Sequence, residues 1–247
     1  MTARRTIGVL GGMGPLATAD LYQKIIAATP AQRDQDHLHV IIDADPTVPD
    51  RTAALLHGGP DPTPWLVAGA RRLAAAGADF IVIPCNTAHA FLGTIRDAVP
   101  IPILSMVDET AAALAALLPP GAPAGILATA GTVAVGLYQT ALAAVGLDAR
   151  VPSPEAQTHV DAAIAAVKAG DLSRASTDRA LRAAQELVDR GARALVAACT
   201  ELPLILRPED VPVPLVDPTA VLAQAAVRVA RDARVPLEGG TPHAVRP

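Results

Sequence analysis

With 247 residues the chain can form one large domain or two of about 120, a size that can bury its own core. Residues are 51% hydrophobic but only 2% aromatic, so that core must be built from Ala, Val, Leu and Ile. The net charge is −4 and the arginines are scattered without aromatic interleaving, which excludes a nucleic-acid or membrane surface, and no charge-free apolar run is long enough to span a bilayer.

The basic pair Arg4-Arg5 runs straight into a predicted strand at 6–10, without the apolar region and cleavage site of a secretory peptide, so the expectation is a cytoplasmic protein. The turn Gly11-Gly12-Met13-Gly14-Pro15 leads into a helix at 17–28, and a strand at 39–43 precedes Asp50-Arg51-Thr52. A helix at 64–75, a strand at 80–83 ending at Cys85, a strand at 101–106 and a helix at 108–118 follow. The second half gives a strand at 125–128, helices at 133–145, 155–169 and 172–190, and a strand at 194–197 ending at Cys199. A strand at 213–216, a helix at 218–234 and a Pro/Gly-rich flexible tail at 236–247 close the chain. Short apolar runs alternating with segments of helical period are the βαβ pattern of a parallel sheet covered by helices.

The halves repeat. Each cysteine stands eight residues after the glycine of a Gly-Ala pair, Gly77-Ala78 and Gly191-Ala192, at the end of an apolar run. The stretch Gly8 to Gln23, with its Leu-Tyr-Gln end, is echoed by Gly125 to Gln139, and a proline-flanked strand follows each cysteine. The cysteines are 114 residues apart and Tyr22 and Tyr138 are 116 apart, a regularity that points to duplication. The expected fold is α/β: two pseudo-symmetric domains, each a mostly parallel sheet flanked by helices, with the active site in the cleft between them. Residues 1–102 plus 214–235 form the first, discontinuous domain and 103–213 the second.

In open α/β sheets ligands settle at the carboxyl ends of strands, where both cysteines lie. A thiol there, at a helix start, is expected to feel the positive end of the helix dipole, which favours thiolate. Asn86-Thr87 and Thr200 follow the cysteines and supply donors. Two such thiols on opposite faces of one carbon can act in turn as base and acid and invert it. The plainer alternative is packing, since free cysteine is among the most buried residue types. The two cysteines lack zinc-site spacing and, in a reducing compartment, are not expected to form a disulfide. The two lysines, Lys24 and Lys168, have no pyridoxal-phosphate context, so that cofactor is not expected either.

Other polar residues leave two readings open. The glycine turn either cradles an anion or is a tight turn. Arg51 either clamps a carboxylate in bidentate fashion or is a solvated arginine. His89 completes a turn after Cys85, and Glu201 is a first-turn acid.

The stretches Gly11-Gly12-Met13-Gly14-Pro15-Leu16-Ala17-Thr18, Pro49-Asp50-Arg51-Thr52, Pro84-Cys85-Asn86-Thr87-Ala88-His89, Ala128-Thr129-Ala130-Gly131-Thr132, Val167-Lys168-Ala169-Gly170 and Cys199-Thr200-Glu201-Leu202-Pro203 resemble the aspartate/glutamate racemase superfamily, and within it the cofactor-independent aspartate racemases. The resemblance implies Cys85 and Cys199 as acid/base catalysts, with Asn86, Thr87, Thr129 and Thr200 as donors to the substrate's α-carboxylate and amino group. It also implies Met13 as a lining residue, Arg51 and Lys168 near the substrate's side-chain carboxylate, and a homodimer without metal or pyridoxal phosphate. Glutamate racemases commonly have Asp in the first glycine turn and His after the second Cys-Thr; here Gly12, Met13 and Glu201 stand in those places, which points away from glutamate. Ala198 stands where a glycine is usual. The leading expectation is an aspartate racemase. The alternatives are a broad-specificity racemase, a maleate-isomerase-like enzyme, and a non-catalytic two-lobed binding protein.

Overall fold

A computed structural model describes residues 4–232; the expected tail at 236–247 and the last residues of the expected final helix lie outside them. Two four-stranded sheets are formed. The first holds β1 (Ile7–Gly11), β2 (Val40–Ala44), β3 (Phe80–Val82) and β4 (Ile103–Leu104) in the order β2-β1-β3-β4. The second holds β5 (Pro123–Leu127), β6 (Asp148–Arg150), β7 (Ala194–Ala197) and β8 (Leu215–Val216) in the order β6-β5-β7-β8. The order is the same in both, as a duplicated unit requires, and every pairing is parallel. All residues of β1, β3 and β7 are buried, which is why these strands read in sequence as unbroken apolar runs without alternation.

Helices cover both faces of both sheets. The first sheet lies between α1 (Pro15–Ala28) with α10 (Pro218–Arg231) and α3 (Thr63–Ala75) with α4 (Leu92–Asp97). The second lies between α5 (Met106–Leu117) with α7 (Leu137–Ala144) and α8 (Pro154–Lys168) with α9 (Arg174–Asp189). Alanine makes this packing close: Ala223, Ala226 and Ala230 of α10 and Ala180, Ala183 and Ala184 of α9 are buried where larger side chains would hold the helices off. No helix among the described residues is long and apolar enough to cross a membrane.

The structure differs from the sequence expectations in places that prolines and glycines explain. The strands expected at 101–106 and 213–216 shrink to two residues each, because Pro102 and Pro214 have no N–H to give a ladder. The helix expected at 133–145 is two, α6 (Ala130–Ala134) and α7, parted by Gly136 at φ 69°. The short edge strand β6 and the short helix α2 (Arg51–Leu56) were not anticipated; β6 carries polar Asp148 and Arg150 and shows no apolar run. The boundaries expected at 102 and 214 also move past a strand, since β4 pairs in the first sheet and β8 in the second. The chain crosses between the halves at Ser105 and Asp217, which cap α5 and α10 by accepting from the N–H groups of Asp108 and Thr219. α10 then returns to pack on α1 and the core of the first sheet.

The glycine turn after β1 is a tight turn built on Gly12. Its φ is 90°, and a Cβ there would lie 2.4 Å from the backbone of Asp45. Its N–H donates to Thr18 Oγ1 at 2.8 Å, so that group is spent within the turn and does not cradle an anion. Gly12→Ala is expected to cost at least about 2 kcal/mol, from left-handed strain plus backbone collision, as read from the urea midpoint.

Candidate active site

Cys85 and Cys199 follow the carboxyl ends of β3 and β7, one from each sheet. Neither stands directly at the start of an α-helix, α4 beginning only at Leu92. A short 3₁₀ turn, Thr87–Phe91, succeeds the first and another, Leu202–Leu204, the second, the latter holding Pro203 in its first turn. The expected thiolate-favouring helix dipole is therefore not built at either thiol. At Cys199 the electrostatics run the other way: burial, and then the carboxylate of Glu201, push its thiol well above the usual range.

All nine residues expected at the site line one small cavity between the halves, together with Asp50, Thr52 and Glu201. Its free volume of about 10 Å³ is room for a single water, so an amino acid enters only if the halves part or side chains move. A wider opening of about 540 Å³ adjoins it and shares Met13, Asp50, Arg51, Lys168 and Glu201.

Contacts across the halves fix the polar lining. Thr87 Oγ1 lies 3.0 Å from Thr129 Oγ1 and 2.9 Å from Thr132 Oγ1, a buried hydroxyl triad joining the Cys85 turn to the N-terminus of α6, where Thr129 is the cap. Tyr138 of α7 donates its hydroxyl to Asn86 Oδ1 at 2.6 Å and so orients the Asn86 amide. Gly131 of α6 meets Thr52 of α2 so closely that a Cβ would fall 2.9 Å from Thr52 Oγ1. Lys168, at the end of α8, reaches Asp50, the cap of α2, at 3.8 Å.

Arg51 is buried, at 8% exposure, and is not the solvated arginine of the plainer reading. Its Nη1 donates to the carbonyls of Val48 and Pro49 and its Nη2 to that of Met13, while Nε has no partner. Asn86 Nδ2 and Glu201 Oε1 are likewise buried without a partner. Three unsatisfied polar atoms on residues of one cavity are costly in a folded protein unless a ligand completes them.

The sequence reading missed the parts played by Glu201, Tyr138, Thr132 and His89. Glu201, expected only as a first-turn acid, accepts from Cys199 Sγ at 2.9 Å. His89 lies near Cys85 O (2.9 Å) through Nδ1, and its Nε2 accepts from Met106 N–H at 3.0 Å, which fixes the neutral tautomer with the proton on Nδ1 donated to Cys85 O. It thus ties the Cys85 turn to the crossing into α5. Burial lowers the His89 pKa from 6.5 to about 4. Since the unfolded chain takes up this proton first, the His89 contribution to stability is lost as pH falls from about 6.5 to about 4 and is level below that, about 3 kcal/mol in all. Urea unfolding across that range should show a shallower slope in His89→Gln than in the unaltered protein.

Residues 10–226 match the family model described as Asp/Glu/Hydantoin racemase. The chain belongs to that family. Its racemase fold is similar to that of the aspartate racemase of Picrophilus torridus, with a TM-score of 0.81 and 29% identity over 92% of this chain and 94% of that one. The broad-specificity amino-acid racemase RacX of Bacillus subtilis (strain 168) is 30% identical over 225 residues, 90% of this racemase and 96% of that protein. Glutamate racemase of Francisella tularensis, solved with D-glutamate, shares the fold at a TM-score of 0.70 and 17% identity, over 92% of this chain and 81% of that one.

Proposed function

We propose that this amino-acid racemase interconverts L- and D-aspartate without pyridoxal phosphate, with Cys85 and Cys199 as the paired acid and base. The observation that carries the reading is that one thiol from each half lines the same small cavity, among donors suited to carboxylates. In one direction the Cys85 thiolate takes the α-proton, becoming a thiol, and the Cys199 thiol gives its proton to the other face of the carbanion, becoming a thiolate. The reverse direction exchanges the roles. Cys199 rests as the thiol, because burial and Glu201 both oppose its ionisation. Asn86 Nδ2 and the Thr87, Thr129 and Thr200 hydroxyls hold the α-carboxylate and steady the carbanion's charge. Arg51 and Lys168, the two cations of the cavity, receive the side-chain carboxylate, and Met13 closes the wall. The expected cytoplasmic homodimer belongs to this reading.

Purified protein incubated with a panel of L-amino acids, without pyridoxal phosphate, is tested by chiral chromatography and by proton NMR in D2O. D-aspartate should appear, with deuterium entering the α-position. Absence of both from aspartate would refute the reading, and racemisation of many amino acids at equal rates would replace it with a broad-specificity one.

A further inference from the structure

The cavity holds two carboxylates, Asp50 and Glu201, and so four carboxylate oxygens. Three are committed. Asp50 Oδ1 caps α2 by accepting from Ala53 N–H at 2.8 Å, and Oδ2 faces Lys168 at 3.8 Å. Glu201 Oε2 accepts from the Cys199 thiol at 2.9 Å and lies 3.4 Å from the Thr200 hydroxyl. The fourth, Glu201 Oε1, is buried without a partner. It faces the other half of the molecule: a Cβ on Gly14, in the turn between β1 and α1, would stand 3.3 Å from it. Glu201 is only 3% exposed, so bulk water does not reach this oxygen, and a buried carboxylate with one bare oxygen is suited to a cation.

An amino acid brings one. The other polar atoms bare at this site, Arg51 Nε and Asn86 Nδ2, are donors that suit carboxylates and repel an ammonium. Oε1 of Glu201 is the single bare acceptor among them, and it belongs to the side chain that grips the Cys199 sulfur. Resting on the racemase reading above, we propose that Glu201 is a substrate-binding residue whose Oε1 accepts from the substrate's α-ammonium while Oε2 holds the Cys199 thiol. One carboxylate then sets the amino group and the reacting sulfur in a single frame, so that binding the ammonium places the α-carbon against Cys199. The contact also discriminates: a dicarboxylate without an amino group finds the two cations of the cavity but leaves Oε1 bare.

The probes are aspartate and succinate, the latter being aspartate without its amino group. In the unaltered protein aspartate should bind at least about tenfold more tightly than succinate, the range expected for a hydrogen bond between charged groups. Equal affinities would overturn the proposal without any variant. Glu201→Gln keeps the size and an acceptor for the thiol but can turn its amide N–H₂ toward the ammonium. The KM for aspartate should then rise about tenfold or more, while the inhibition constant of succinate stays the same or tightens. Glu201→Asp keeps the charge and should retain most of the preference for aspartate. Parallel weakening of both ligands in Glu201→Gln, or no change in either, would make Glu201 a structural residue and overturn the proposal while leaving the racemase reading intact. A protein that neither binds nor racemises aspartate would instead refute that reading itself.

Discussion

Cys85→Ser and Cys199→Ser should each lower aspartate racemisation by about 10³-fold or more, the largest effects expected of any single substitution here, given what a positioned acid or base contributes. Serine keeps the shape and a hydroxyl, yet its proton is far too firmly held for the alcohol to act as base at neutral pH. The two losses should differ in kind. With Cys199 replaced, Cys85 still faces the α-proton of one enantiomer and can exchange it in D2O without inverting the centre. With Cys85 replaced, only the opposite enantiomer retains a thiol to meet it, and that thiol is the one that burial and Glu201 keep protonated. Exchange should therefore be confined to one enantiomer in each variant and be slower in Cys85→Ser, as followed by loss of the α-proton NMR signal. A variant retaining more than about a tenth of the racemisation rate, where a base or acid contributes at least 10²-fold, would remove its cysteine from the mechanism. Loss of turnover with both exchange reactions intact would point to faulty positioning.

The cysteines were legible because each closes an apolar strand at the same step of a repeated unit, and in a parallel sheet that step is the carboxyl edge where the site forms. The turn at Gly12 and the threonines Thr87 and Thr200 were legible for the same reason, since they sit within a few residues of strand ends, whereas the site roles of Arg51 and Thr129 were assigned only by the family resemblance. What the sequence hid are contacts made between the halves. Tyr138 bonds Asn86 from 52 residues away, and Thr87 meets Thr132 across 45. The repeat even misdirects here, for Tyr22 and Tyr138 are equivalent in sequence, yet Tyr22 is 40% exposed and Tyr138 is fully buried against the site. Glu201 and His89 lay inside the recognised stretches, but their work depends on which atom each side chain reaches. The spacing of Cys-Thr-Glu does not tell whether the glutamate turns to the helix start or back onto the sulfur. The helix-dipole expectation failed for a local reason, since the chain after each cysteine first tightens into a brief 3₁₀ turn, and the α-helix after Cys85 begins only at Leu92.

Arg51→Ala should reduce kcat/KM for aspartate by about 10²-fold while leaving activity on alanine, where present, far less affected, because only the dicarboxylate loses a charge-assisted partner. The structure sharpens what this variant tests. Three backbone carbonyls, those of Met13, Val48 and Pro49, already hold the guanidinium, so its Nε and the open side of Nη2 are what a substrate can reach. That leaves a side-on pair of N–H groups for the bidentate clamp expected from sequence. The same bonds brace the loop before α2 against the glycine turn, so a loss of bracing would depress both substrates alike. Arg51→Lys separates the two roles. A lysine keeps the charge but has one ammonium to divide between the carbonyls and the substrate, so aspartate activity should recover only in part. Equal losses for aspartate and alanine in Arg51→Ala would make the residue a brace, and the preference for an acidic side chain would then rest on Lys168. Lys168 sits at the mouth, its side chain 36% exposed and facing Asp50, where a single half-solvated charge attracts dicarboxylates weakly and excludes little else. On the proposed reading a narrow substrate range would depend on Arg51, and aspartate against alanine in its variants is the comparison that decides between a dedicated aspartate racemase and a broad one.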